Sequence, residues 1–316
     1  MEEIKISEIK ANPKNPRTIM YQKLLKSITD FITKRHPEAD SFYDLFGGGG
    51  AMSFMALQIP QFQNVYYNEI NKQIVDLIRY NQHLPKDKSL YKLGEVLPDK
   101  LYEWVDRETF HANRERTDWY GGFISTCWSF GNKGTGYLFG TDIEEPKRLA
   151  HMVCVYKDVM ALKELNKLFP ISTKILTLSS IYSRRMFFRK CVVDAGKRFD
   201  LEQLERLERL ERLQRLEQLQ RLELSNLDYK DFDLSKIKPT DIVYLDPPYI
   251  NTANYKTNTI NYEEFYEWVN KIKAHVYISS YECPLKVVRR MKHTSILAQG
   301  HNDKVYEKLF YINGNE

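Results

Sequence analysis

Cysteine is scarce and nowhere paired: Cys127, Cys154, Cys191 and Cys283 form no Cys-x-x-Cys, which argues against a zinc site and against a disulfide framework. No metal is expected. No apolar run approaches eighteen residues and no secretory n-region opens the chain, so a cytoplasmic protein without a membrane span is expected. Charge of one sign is also lacking. A net charge of +5 over 316 residues excludes a uniformly basic chain, and a nucleic-acid face would need its basic residues gathered locally. The one dense glycine cluster, Gly47-Gly48-Gly49-Gly50, lacks the Gly-Lys-Ser/Thr ending of a phosphate loop and the spacing of a dinucleotide fingerprint. The length suffices for a core with an inserted domain.

What is present centres on Asp246-Pro247-Pro248-Tyr249, which follows the apolar run Ile242-Val243-Tyr244-Leu245. Such a run predicts a strand that stops at the carboxyl edge of a sheet, where open α/β sheets bind their ligands. The prolines fix φ and offer no N–H, so the loop leaves the ladder. The Asp246 carboxylate and the Pro247 carbonyl can both accept from one exocyclic NH₂ group, and the Tyr249 ring can stack on the attached heterocycle. A tight structural turn is the competing reading.

A second signal lies upstream. Ser41-Phe42-Tyr43-Asp44-Leu45-Phe46 reads as a strand, residues 47–50 as a glycine loop, and residues 51–57 as a helix. Glycine there lets backbone N–H groups approach a ligand. The apolar Val65-Tyr66-Tyr67 then reaches Asn68-Glu69 before a helix over residues 71–80. An acid at the end of a second strand can take both hydroxyls of a ribose. It can equally be a helix N-terminal acid favoured by the dipole.

These residues resemble the Dam-like DNA adenine-N6 methyltransferases (α group, D12 class). The resemblance covers residues 12–94 and 225–316. It assigns Asp44, Phe46, Gly48 and Gly50 to the family's Asp/Glu-x-Phe-x-Gly-x-Gly loop for S-adenosylmethionine, Glu69 to its acid after the second strand, and Asp246, Pro247, Pro248 and Tyr249 to its catalytic loop. More loosely, Asp228 and Tyr229 of Asn226-Leu227-Asp228-Tyr229 fall where the family places an acid and an aromatic against the cofactor adenine. Residues 276–281 and 308–312 look like its closing strands. The family's opening Gly-Lys motif is altered, because Tyr21-Gln22-Lys23 keeps the tyrosine and lysine as cofactor contacts without the glycine.

The resemblance implies an α/β, doubly wound, Rossmann-like S-adenosylmethionine-dependent methyltransferase fold with an inserted recognition domain. The expected division is a cofactor-binding half at residues 1–94, a target-recognition domain at 95–200, a helical connector at 201–224 and the second catalytic half at 225–316. Residues 95–200 are rich in aromatics and arginine, and Arg114, Arg116, Lys133, Arg184, Arg185, Arg189 and Lys190 are the expected DNA contacts, serving phosphates or base edges. Each could instead be a solvated surface charge.

From Leu201 to Leu222 leucine recurs at every third position. At 100° per residue this repeat winds leucine around an α-helix instead of forming a stripe. Leu, Glu, Arg and Gln favour the helix, and pairs such as Glu202–Arg206, Glu205–Arg209, Glu208–Arg212, Glu211–Arg215 and Glu217–Arg221 are oriented to support it. A connector is expected, with a leucine-rich solenoid as the minor alternative.

The expected reaction is methyl transfer to adenine N6 in duplex DNA, with a cognate restriction endonuclease as a further partner that the resemblance admits. The rivals are a cytosine-N4 methyltransferase, a protein-glutamine methyltransferase, against which Asp246 argues, and a DNA-binding or scaffold protein with a decayed cofactor site.

Overall fold

The computed structural model describes residues 16–86, 97–130, 134–197, 199–248, 260–292 and 306–314, with the side chains of residues 16–23, 291–292 and 306–307 outside that description. The described chain forms two compact units, residues 1–71 with 221–316 and residues 72–220. The seams therefore fall after Asn71 and before Arg221, where the sequence suggested 94/95 and 224/225.

The first unit carries α1 (Pro16–Arg35), β1 (Ser41–Asp44), α2 (Ala51–Ala56) and β2 (Asn64–Asn68), and later β3 (Leu222–Ser225), β4 (Ile242–Leu245), α10 (Tyr262–Val269), β5 (His275–Ser280), β6 (Lys286–Lys292) and β7 (Tyr306–Asn313). The strands form one sheet in the order β3-β2-β1-β4-β5-β7-β6. β3, β2, β1, β4 and β5 are parallel, while β7 runs antiparallel to both β5 and β6. Every residue of β1 and β4 is buried, as expected of central parallel strands covered on both faces, and this is why they read as unbroken apolar runs. The chain winds outward from β1 through β2 to β3 and, on the other side, from β4 to β5. β1 and β4 therefore flank the switch point. One face of the sheet packs Tyr43, Leu45, Val243, Leu245, Val276 and Ile278 against Phe265, Trp268 and Val269 of α10.

The second unit contains only helices among its described residues: α3 (Lys72–His83), α4 (Arg107–Asn113), α5 (Trp119–Cys127), α6 (Thr141–Tyr156), α7 (Val159–Leu165), α8 (Ile181–Asp194) and α9 (Glu202–Arg215), with short 3₁₀ turns between. Side-chain acceptors from Asp106, Asp118, Asp158 and Ser180 cap α4, α5, α7 and α8, each satisfying donors that a helix start leaves open. Its core runs from Leu101, Phe110, Phe123 and Trp128 to Phe188 and the leucines of α9.

The leucine run departs from the expected connector. It breaks into α9, a 3₁₀ turn over Glu217–Arg221 and the edge strand β3. Leu204, Leu207 and Leu210 lie in the core of the second unit, together with buried Gln203, Glu208, Glu211 and Gln214. Winding leucine around the helix thus suits a helix surrounded by neighbours. Of the expected ion-pair ladder, Glu205–Arg209 (3.6 Å) and Glu211–Arg215 (3.9 Å) form. Arg206 instead donates to the Thr126, Cys127 and Ser129 carbonyls at 3.2, 3.2 and 2.7 Å, placing a cation at the C-terminal end of α5. Glu202 pairs with Lys147 at 3.0 Å.

Candidate active site

The register of the parallel strands aligns Asp44 with Tyr67 on β2 and with Tyr244 on β4. Two residues past that row stand Phe46, Glu69 and Asp246, so the sheet itself brings the three sequence signals to one carboxyl edge. Leu45 N–H donates to the Tyr244 carbonyl at 3.2 Å, and this bond carries the β1–β4 pairing to the edge.

After Asp44 the chain enters the glycine loop. Gly47 donates to the Asn68 carbonyl at 2.9 Å, and a Cβ on Gly47 would lie 2.1 Å from the Tyr67 ring. The Tyr67 hydroxyl donates to the Gly48 carbonyl at 2.6 Å, so the ring supports the loop from below and leaves no room for a side chain at Gly47. Gly48 and Gly50 have φ of 48° and 78°, the left-handed region that side chains disfavour. A Cβ on Gly48 or Gly49 would meet no described atom within 4 Å. The loop is thus bare backbone facing open space.

Glu69 fixes that loop. Its Oε2 accepts from Gly48 N at 2.8 Å and its Oε1 from Asn71 N at 2.9 Å. Burial pushes the Glu69 pKa up while these two N–H groups oppose the shift. Asp44 also has a structural task. It is fully buried, and its Oδ2 accepts from Ser53 N at 3.1 Å and Ser53 Oγ at 2.7 Å, tying the end of β1 to α2. Burial raises its pKa to about 7, against the pull of the Ser53 hydrogen bonds.

Asn68 supplies a contact that the sequence reading missed. Its side chain donates to the Leu227 carbonyl at 3.0 Å and accepts from Leu227 N at 3.1 Å and from Ser225 Oγ at 2.8 Å. Asn226 reciprocates by donating to the Glu69 and Ile70 carbonyls at 2.7 and 2.9 Å. This asparagine exchange holds the segment bearing Asp228 and Tyr229 beside Glu69. The signal was the adjacency of each Asn to a residue already singled out. Asp228 itself caps a 3₁₀ turn through Lys230 N at 3.0 Å. Tyr229 sits among Phe46 (ring centroids 5.3 Å apart), Phe265 (5.6 Å) and Trp268 (5.0 Å). The Tyr229 hydroxyl and Trp268 Nε1 are buried with no hydrogen-bond partner among the described residues. Buried polar atoms normally find partners, so this aromatic nest has capacity for a polar ligand edge.

At the end of β4, Asp246 is exposed while Pro247 is buried. Tyr262, at the start of α10, donates its hydroxyl to the Pro248 carbonyl. Burial, and then the nearby Asp246 charge, raise the pKa of that hydroxyl. Tyr262 is therefore a positioning residue for the loop, and nothing in its sequence spacing announced it. Tyr249 and Lys133 lie outside the described residues, as do the side chains of Tyr21 and Lys23 on α1.

The family model for D12 class N6 adenine-specific DNA methyltransferases matches residues 22–296. The chain belongs to this family. Comparison with curated proteins gives no match. The methyltransferase therefore acts on adenine N6 in DNA, which sets aside the cytosine-N4 and protein-glutamine readings, and family members in general use S-adenosylmethionine. The glycine loop, the Glu69 clasp and the nest with its orphaned hydroxyl fit such a donor. No described helix is long and apolar enough to cross a membrane.

The expected DNA contacts divide sharply. Arg184 is fully buried and Arg185 is 5% exposed, and neither presents a charge to phosphate. Arg184 donates to the Leu178 and Ser179 carbonyls at 2.8 and 2.9 Å. Arg185 pairs twice with Glu208, at 2.6 and 2.8 Å. Both are corrected to structural roles, because an arginine is tolerated inside a protein only when its donors are this fully met. Lys190 and Arg116 are exposed and Arg189 and Arg114 half-buried. Arg116 pairs with Asp118, and Arg189 lies 3.7 Å from Asp200.

Proposed function

We propose that the carboxyl edge of β1, β2 and β4 binds S-adenosylmethionine and presents its methyl group to an adenine flipped from duplex DNA. The observation that carries this reading is the Glu69 clasp. One carboxylate holds Gly48 N and Asn71 N under bare loop backbone, and each of its oxygens keeps a further lone pair for a ribose hydroxyl. Phe46 and Tyr229 line the adenine side. The donor supplies an electrophilic methyl on a sulfonium centre.

The target nitrogen is a poor nucleophile because its lone pair is delocalised into the purine. Asp246 and the Pro247 carbonyl accept its two N–H bonds, drawing it toward tetrahedral geometry and exposing the lone pair. Positioning and charge carry the catalysis. Tyr249 stacks on the extruded base, replacing the few kcal/mol of lost stacking. Lys190, Arg189, Arg116, Arg114 and Lys133 are the remaining proposed DNA contacts. With DNA as the substrate, the cytoplasm is the compartment proposed, and a restriction endonuclease sharing the sequence is a partner consistent with it.

The test is expression in a methylation-free host followed by sequencing with base-modification detection. N6-methyladenine at one sequence, lost in Asp246→Ala, is the expected result. Unmodified DNA from a folded protein that binds the donor would overturn the reading.

A further inference from the structure

The opposite, N-terminal edge of the same sheet holds a cluster that methyl transfer does not use. His36 follows the last residue of α1, its N–H bonded to the Ile32 carbonyl at 3.0 Å. His275 opens β5. The two imidazoles stack with centroids 3.8 Å apart and planes 28° apart. Each has one nitrogen on a tyrosine hydroxyl: His36 Nε2 is 2.7 Å from Tyr277 and His275 Nδ1 is 3.0 Å from Tyr311. Their other nitrogens converge on a single atom, Glu38 Oε1, at 3.5 Å from His36 Nδ1 and 3.6 Å from His275 Nε2.

Those two separations exceed the usual range of about 2.7–3.2 Å for an N–H···O hydrogen bond. They match the edge of a tetrahedron around zinc, which for ligand bonds of about 2.0–2.2 Å is roughly 3.3–3.6 Å. The two histidine nitrogens and the carboxylate oxygen all lie within 4.8 Å of one another. A hydroxyl on the far nitrogen is the arrangement that orients a ligating histidine and sets its tautomer. When each imidazole donates to its tyrosine, two nitrogen lone pairs and a carboxylate oxygen face one another with no proton between them, and a cation relieves the repulsion.

We propose that His36, Glu38 and His275 form a site for a divalent borderline metal ion, zinc fitting best, with water in the fourth position. Two imidazoles and one carboxylate suit zinc by donor type. Arg35, whose guanidinium lies 4.6 Å from the centroid of the Tyr311 ring, opposes a cation here, and the Glu38 carboxylate offsets it. Both ring planes must contain the ion, so ligation opens the 28° stack. The ion joins the end of α1 to the start of β5 at the edge remote from Asp246. Its role is therefore structural, and the absence of paired cysteines gave no warning of it.

The experiment uses the chelator-stripped full-length chain, titrated with zinc against a chromophoric competitor, with cobalt(II) absorption as the second readout. One equivalent of zinc should bind, raise the thermal midpoint and, as cobalt, give a tetrahedral d–d spectrum. Glu38→Gln changes an exposed side chain (47% exposed) and should leave the fold intact while weakening binding at least about ten-fold. Tyr311→Phe should weaken it by about ten-fold through ring orientation. His83→Gln, in the other unit, should change nothing. Lack of stoichiometric uptake by the wild-type chain would overturn the site and leave a stacked histidine pair. Uptake undiminished in both Glu38→Gln and His275→Gln would assign the metal elsewhere.

Discussion

Asp246 and Glu69 occupy equivalent heights above the aligned row of β1, β2 and β4, yet their surroundings give them opposite roles. Asp246 is exposed, and the partners proposed for its catalytic role are the N–H bonds of the target base. Asp246→Ala should eliminate methylation while leaving donor affinity within about two-fold, because the lost interactions belong to the transition state. Retention of a tenth of the wild-type rate would sink the assignment. At Glu69, removing the carboxylate takes away a charged acceptor and the loop clasp together. Glu69→Ala should therefore weaken donor binding by about 1.5–3 kcal/mol, measured by calorimetry. At this scale the sequence was legible where a short local pattern marks a loop and the acid beside it, as at the glycine loop and Glu69, which the structure joins through Gly48 N. It was opaque where a side chain acts through the backbone of another segment. Asn68, Ser53 and Tyr262 find their partners across gaps that no local pattern encodes, and Asp44 was singled out for a ligand role yet commits its Oδ2 to Ser53.

Among the elements, the central strands and α2 could be read because a covered parallel strand is a short apolar run and a glycine loop marks its end. β3 could not, since its first residue, Leu222, is also the last leucine of a repeat that points to helix. The environment of α8 and α9 was equally hidden. Two arginines followed by aromatics look like a DNA-facing cluster, and only tertiary structure reveals that Glu208 waits for Arg185. Arg185→Ala should destabilise the protein by about 3–5 kcal/mol in urea, by leaving a buried carboxylate unpaired. Lys190→Ala should leave stability unchanged and lower the salt slope of DNA binding by about one unit. An unchanged slope returns Lys190 to the ordinary surface. Deleting residues 207–209 displaces the remainder of α9, from Leu210 onward, by about 4.5 Å and 300°, pulling Glu211 from the Tyr102 hydroxyl (2.7 Å) and Gln214 from the Pro85 carbonyl (2.9 Å). The expected outcome is a large fall in the thermal midpoint. A variant of wild-type stability with altered sequence preference would restore the connector reading.

Among the described residues, each unit holds a buried carboxyl whose pKa burial pushes up to about 7: Asp44 in the first and Glu211 in the second. A raised carboxyl pKa means that the folded state holds the proton more tightly than the unfolded chain does. The associated stability is fully present below about pH 4 and is lost as pH rises through about 7. Other groups shape the acid limb, so the difference between variants is the clean measure. Asp44→Asn and Glu211→Gln should each gain urea resistance relative to wild type between about pH 5 and pH 8. A gap that stays constant over that interval would contradict the assignment.

The two seams of the chain also carry a consequence for how this enzyme is put together. β2 and β3 are adjacent parallel strands, with Val65 opposite Leu222 and Asn68 opposite Ser225. To run from one to the other, a polypeptide needs only a right-handed crossover of about a dozen residues, usually one helix. Here the entire helical unit, residues 72–220, occupies that single crossover. It is a detour from which the chain returns to the strand beside the one it left, with Arg221 Nη2 meeting the Phe62 and Gln63 carbonyls at 2.6 and 3.0 Å. Replacing residues 72–220 with one short helix and its two turns should give a minimal catalytic core that still binds the methyl donor and has lost its preference for any DNA sequence. On that view the sheet is the fixed machine tool and the excursion between two of its strands is the chuck, where a different helical unit could confer a different target.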